Sequence, residues 1–125
     1  MKKKKVQVEE EVLDAATLAD LKSGKKCRVI LYAIPQEPVE QMYICGEIKS
    51  AGEWDASVAK PMKLTDKGWR AIKILPVGSV FAFKVLKGQD WKNVEKGTWR
   101  EEIANHEIVA EKGLVVTMPI PTFAE

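Results

Sequence analysis

From Lys26 onward the chain is a series of short apolar runs cut by turn residues. Residues 27–34 are rich in β-branched and aromatic side chains, and Pro35 and Pro38 stop the run, which predicts a strand. Residues 41–48 alternate Met42 and Ile44 against Tyr43 and Cys45, the period of a second strand. Residues 50–61 read as a loop around Gly52. Gly68 opens a third strand over residues 69–75, and Pro76-Val77-Gly78 turns it. Residues 79–86 make a fourth, with Phe81 and Phe83 on one face and Val80, Ala82 and Lys84 on the other. After a turn at residues 87–90, short strands are expected over residues 91–95 and 106–110, flanking the polar segment 96–105. Residues 114–118 form the last strand before Pro119 and Pro121. About seven short strands with turns between them, and no intervening helix, predict an all-β fold: an immunoglobulin-like antiparallel β-sandwich.

Residues 1–24 have a different texture. Val12, Leu13, Ala15, Ala16, Leu18, Ala19 and Leu21 lie in a helix-favouring window that Gly24 can close. A short helix is expected there, and residues 2–8 read as a tail or an edge strand. The organisation is therefore a helical, charged extension over residues 1–24 and a β-sandwich domain over residues 25–125.

Composition narrows the function classes. A chain of 125 residues fits one domain with one real core. Its 20 basic and 18 acidic groups leave a net charge of +2, a mixed surface with no pull toward nucleic acid. The basic run at residues 2–5 is answered by the acidic run at residues 9–11, and both read as solvated. No stretch approaches the roughly 20 apolar residues of a membrane span. The basic start runs into VQVEEEV rather than an apolar segment, so no secretory signal is read and a cytoplasmic location is expected. Cys27 and Cys45 lack metal-ligand spacing and read as buried thiols of a reducing compartment. A chain reversal at residues 35–38 would instead set them opposite each other, within bridging range under oxidising conditions.

Catalytic and metal chemistry find little support. His106 is the one histidine, and no serine or cysteine has a nucleophile-like context. Glu101 and Glu102 read as a solvated acidic turn. His106 with Glu107 lacks the further ligands zinc needs. Gly78, Gly88 and Gly97 are isolated turn glycines rather than a phosphate loop. Neither an enzyme nor a cofactor is expected.

Binding is better supplied. All four tryptophans, Trp54, Trp69, Trp91 and Trp99, lie in the stretch from Gly52 to Ile108. Trp69 opens an apolar strand and reads as core. Trp54, in a glycine-bearing loop, reads either as a plug that pins the loop or as a ligand platform. Trp91 and Trp99 have few apolar neighbours, and one of them is expected to touch ligand; covering a sheet edge is the bland alternative. A sugar ring has a C–H face that stacks on an aromatic ring and a hydroxyl rim that takes hydrogen bonds, each with a modest net gain of ~0.5–1.5 kcal/mol. Trp54, Lys84, Trp91, Trp99 and Asn105 hold the residue types such a ligand needs. Lys84 can pack its stem while its ammonium reaches a rim.

The order of these pieces resembles the family 20 starch-binding domains and the related family 48 glycogen-binding domains. A strand like MYICGEI leads into Gly52-Glu53-Trp54-Asp55, then Pro61-Met62. A tryptophan strand from Trp69 to the turn Pro76-Val77-Gly78 follows, then Phe81-Ala82-Phe83-Lys84, Trp91, and Asn105-His106. The segment GQDWKNVEKGTWREEIANH is similar to a longer variant of bacterial members. The resemblance covers residues 26–118. It implies that Trp54, Lys84 and Trp91 form the main sugar site with Asn105 at its rim, and Trp99 competes with Trp91 for the second platform. His106 replaces the family's usual arginine, and the family's second, tyrosine-based site has no clear match, which argues for one site.

The expected function is non-catalytic binding of α-1,4-glucan: starch, glycogen or maltooligosaccharide. The competing expectation is a protein-interaction or self-association module acting through residues 1–24 on the same fold.

Overall fold

The computed structural model describes residues 13–125. The expectations for a tail or strand at residues 2–8, for the solvated runs at residues 2–5 and 9–11, and for Val12 in the helix lie outside the described residues. Helix α1 (Ala15–Ser23) is built by its caps. The Asp14 side chain accepts the Thr17 N–H at 2.8 Å, which holds the Asp14 carboxyl below the ordinary carboxylate range. Gly24 closes the other end by donating its N–H to the Leu21 carbonyl. No helix side chain is buried, and an Asp20–Lys26 ion pair at 3.6 Å ties the helix to the first strand.

The strands follow as β1 (Lys26–Pro35), β2 (Tyr43–Gly46), β3 (Lys60–Pro61), β4 (Lys63–Thr65), β5 (Gly68–Pro76), β6 (Val80–Leu86), β7 (Glu95–Lys96), β8 (His106–Val109), β9 (Val115–Ile120) and β10 (Thr122–Phe123). They form one sheet in the order β4-β5-β1-β9, a second in the order β3-β2-β6-β8, and a small ribbon of β10 with β7. The two larger sheets make a β-sandwich. Period-2 burial explains it: Cys27, Val29, Leu31 and Ala33 of β1 point inward, as do Trp69, Ala71, Lys73 and Leu75 of β5. From the second sheet, Phe81 and Phe83 enter the same core, stacked on each other with ring centroids 5.0 Å apart. Trp69 is buried there.

Local details depart from the sequence pattern. Strands β1 and β9 pair in parallel, from Ile30 opposite Val115 to Pro35 opposite Ile120, so the sandwich is not antiparallel throughout. The second strand is shorter than residues 41–48, because Gln41 spends its side-chain amide on the Met42 and Met62 carbonyls and Ile48 already leads into a 3-10 turn. Residues 91–95 are a 3-10 turn (Trp91–Asn93) followed by the start of β7, since the Asp90 carboxylate accepts the Lys92 N–H and caps a turn. Strands β4 and β10 carry too few residues to show a period.

The chain between β1 and β2 crosses from one sheet to the other instead of forming a hairpin. Cys27 and Cys45 therefore sit in different sheets, both buried and both free thiols, and the bridged alternative is set aside. Among the described residues, no helix is long and apolar enough to cross a membrane, and no His, Cys, Asp and Glu cluster is grouped to hold a metal ion.

Candidate functional site

The second sheet also carries a small apolar cluster on its outer face. Tyr43 pairs with Leu86 and Cys45 with Lys84 across the β2–β6 ladder, which puts these four on the face away from the main core. Ala56 and Ala59 from the following loop cover Cys45 and Leu86, and Tyr43 and Val94 pack at the edge. Burial raises the Cys45 thiol pKa and the Asp55 carboxylate adds to it, while the Trp54 N–H works in the opposite direction. This cluster is buried, and the backbone of Trp54 lies against Cys45 within it.

The loop that brings Trp54 there has an uncommon backbone. Gly52, Glu53 and Trp54 stand at φ 83, 50 and 64, three successive residues in the left-handed region. Glycine takes this conformation freely, but for residues with a Cβ it costs roughly 1–2 kcal/mol each. The surroundings impose it. The Ala51 and Glu53 N–H groups both donate to the Ile48 carbonyl, at 2.9 and 3.1 Å. Asp55 accepts from the Ser57 N–H and hydroxyl, at 3.0 and 2.7 Å. From the opposite sheet, the inward-facing Lys73 reaches through to donate to the Ser50 carbonyl at 2.5 Å. Strain held by such surroundings gathers at functional positions.

Trp91 arrives from the other side on its 3-10 turn. Its ring lies 6.4 Å from that of Trp54, tilted by 33°. Gln89 joins the two segments by donating its amide N–H to the Ala59 carbonyl at 2.9 Å. Trp54 is half-buried and Trp91 is 40% exposed, so both rings keep a free face.

Beside the indoles runs a groove of about 390 Å³. Trp54, Lys84, Trp91 and Asn105 line it, so four of the five residues singled out in the sequence are brought together. Lys84 donates one ammonium N–H to the Ile103 carbonyl and keeps further donors for a ligand. Burial lowers its pKa, Glu95 and Glu102 oppose that fall, and Lys96 adds to it. Trp99 does not line the groove. It stands 86% exposed on the loop between Lys96 and Glu102.

The groove also contains Val94, Glu95, Lys96 and Glu102, none of them expected as ligand contacts; Glu102, expected in a solvated acidic turn, lies at the groove wall. Glu95 is 1% exposed, accepts the Val85 N–H at 2.7 Å, and meets His106 Nε2 at 2.9 Å through both oxygens. The His106 ring stacks on Phe83 at 5.2 Å. The apolar-acidic-basic step from Val94 to Lys96 was the available signal, but two residues of strand are too short to reveal a buried carboxylate.

Two tilted indoles and a polar rim thus share one outer face of a β-sandwich. Residues 26–118 match the family model of the starch binding domain, and the chain belongs to that family. Solved structures share the fold. It is similar to a glycoside hydrolase family 15 glucoamylase from Hypocrea jecorina (16% identity, TM-score 0.61), covering 78% of this chain and 18% of that one. It is similar to the family 20 module of a maltotetraose-forming amylase from Pseudomonas saccharophila STB07 (19% identity, TM-score 0.53), covering 74% of this chain and 99% of that one. A γ-CGTase from alkalophilic Bacillus clarkii matches at 20% identity and TM-score 0.54, over 81% of this chain and 15% of that one. The chain thus spans less than a fifth of the length of the two longer relatives. No curated protein matches it.

Proposed function

We propose that this chain binds α-1,4-linked glucan (starch, glycogen or maltooligosaccharide) and performs no bond-breaking step itself. The tilted Trp54–Trp91 pair carries this reading. Two platforms 33° apart suit successive glucose rings of a curved chain and mismatch the flat ribbon of cellulose. Lys84 and Asn105 supply donors at the hydroxyl rims. An open groove of this size gives few fully enclosed contacts, so the dissociation constant is expected at roughly 10 µM to 1 mM.

The test is tryptophan fluorescence during titration with maltoheptaose, with cellohexaose as control. A saturable change with the α-glucan alone, lost in Trp54→Ala and Trp91→Ala, supports the reading. Equal response to both sugars, or retention in the folded double variant, overturns it.

One observation favours a second role for residues 1–24. Helix α1 buries none of its side chains and leaves Leu18 exposed, as a protein-docking or self-association element would. Size-exclusion chromatography with and without residues 1–24 tests this, and an unchanged oligomeric state counts against it.

A further inference from the structure

We infer that Trp99 is a separate glucan contact beyond the groove, one that engages the longer chain rather than the rings between Trp54 and Trp91. The inference rests on the proposed glucan binding and extends it.

The loop that carries Trp99 is held far more firmly than an incidental surface turn. The Gly97 N–H donates to the Glu101 carbonyl and the Arg100 N–H to the Gly97 carbonyl, both at 2.9 Å. The Trp99 N–H donates to the Glu101 carboxylate at 2.8 Å. Arg100, at φ 62, donates to the Phe123 carbonyl at 2.6 Å and pairs with Glu37 at 3.0 Å. The Thr122 hydroxyl donates to the Gly97 carbonyl at 2.8 Å. A Cβ on Gly97 would meet the Glu101 carboxylate that holds Trp99, so a side chain there has to displace that carboxylate. All this bracing fixes the backbone of a residue whose indole stands in solvent. Ordering a loop costs conformational entropy, and a large apolar ring left in water returns nothing for it. A ligand that covers the ring does.

Position and surroundings indicate which ligand. Lys96 and Glu102, the two legs of the loop, both line the groove, so the loop rises from the groove wall. Three residues span at most about 11 Å, which keeps Trp99 within a few sugar units of Lys96 along a chain leaving the groove. The residues flanking Trp99 are Thr98, Arg100 and Glu101, all exposed and polar. A protein interface centres its aromatic anchor in an apolar patch, whereas a sugar needs one flat ring amid hydrogen-bonding groups. Trp99 has the second environment.

The test measures, by calorimetry, the affinity of the full chain for linear maltooligosaccharides from maltotriose to chains of a dozen or more units. Wild type is compared with Trp99→Ala, Trp99→Phe, Trp54→Ala and Trp91→Ala. The inference expects wild-type affinity to rise with chain length. Trp99→Ala should bind maltotriose as wild type does, but the longest chains about three- to tenfold more weakly, with Trp99→Phe between. Identical length profiles for wild type and Trp99→Ala overturn it and leave the indole to a protein partner. An equal loss at every length also overturns it, by placing Trp99 within the groove. Failure of the underlying glucan reading is separately visible, since wild type would then bind no maltooligosaccharide of any length, or Trp54→Ala and Trp91→Ala would leave maltotriose binding unchanged.

Discussion

The two faces of the second sheet carry apolar clusters of very different kinds. The inner one fills the sandwich with Phe81, Phe83, Leu31, Met42 and Ile120, all fully buried, and holds the two sheets together. The outer one is small: Cys45, Ala56, Ala59 and Leu86, with Tyr43 and Val94 at its edge. It adds little buried area, yet the loops that present Trp54 and Trp91 rest on it. A fold can thus separate the side chains that set its stability from those that set the shape of its site, even when both come from one strand. In β6, Phe83 faces inward and Lys84 faces the groove.

The separation can be broken most severely from the inside. Phe81→Ala should destabilise the protein by about 3–5 kcal/mol in chemical denaturation, while molecules still folded bind glucan nearly as before. Next comes the buried carboxylate joining the clusters. His106→Ala leaves Glu95 without its side-chain partner, for an expected loss of about 1–3 kcal/mol, with weaker glucan binding because Glu95 and Lys84 share the groove. Gly52→Ala adds a Cβ at φ 83, where it would lie 3.0 Å from the Val58 carbonyl oxygen. Its stability cost should be smaller, about 1–2 kcal/mol, but its affinity loss should exceed that of Phe81→Ala, because the strain falls on the Trp54 loop. Calorimetric titration beside a melting curve separates the two effects.

Lys84→Met sharpens the comparison most finely. It should weaken glucan binding while shifting stability by less than about 1 kcal/mol, since burial already disfavours the charged amine. The same burial fixes a pH sign. The folded pKa of Lys84 is depressed, so between that pKa and the ordinary lysine value the unfolded chain holds a proton the fold has released. Lys84 therefore makes stability rise with pH through that alkaline window, and Lys84→Met should flatten that part of the profile.

The sandwich was legible in the sequence because β1, β5 and β6 are long enough to show their period. Trp69 was recognisable as core by its place at the head of such a strand. The parallel pairing of β1 with β9 was not legible, because it joins segments more than eighty residues apart and leaves no local trace. Lys73 follows the inward parity of its strand, but hydropathy argues against placing a lysine there; its bond to the Ser50 carbonyl forms across the fold, where no local pattern shows it. At the site, the types of Trp54, Lys84, Trp91 and Asn105 were readable. That Trp91 rather than Trp99 partners Trp54 depends on how a turn folds back, which spacing does not encode. The left-handed Glu53 and Trp54 were equally hidden, since neither residue type favours that backbone.

The parallel register of β1 and β9 also has a mechanical meaning. β1 enters at one end of the sandwich and β9 leaves at the other, so a pull between Lys26 and Ile120 acts along both strands. Their ladder is then loaded in shear, with its bonds sharing the force, whereas a hairpin pulled at its open end unzips one bond at a time. A pull applied beyond β10, at Glu125, would first peel the short pairing of β10 with β7, and the shear-loaded pair would then set the force at which the module gives way.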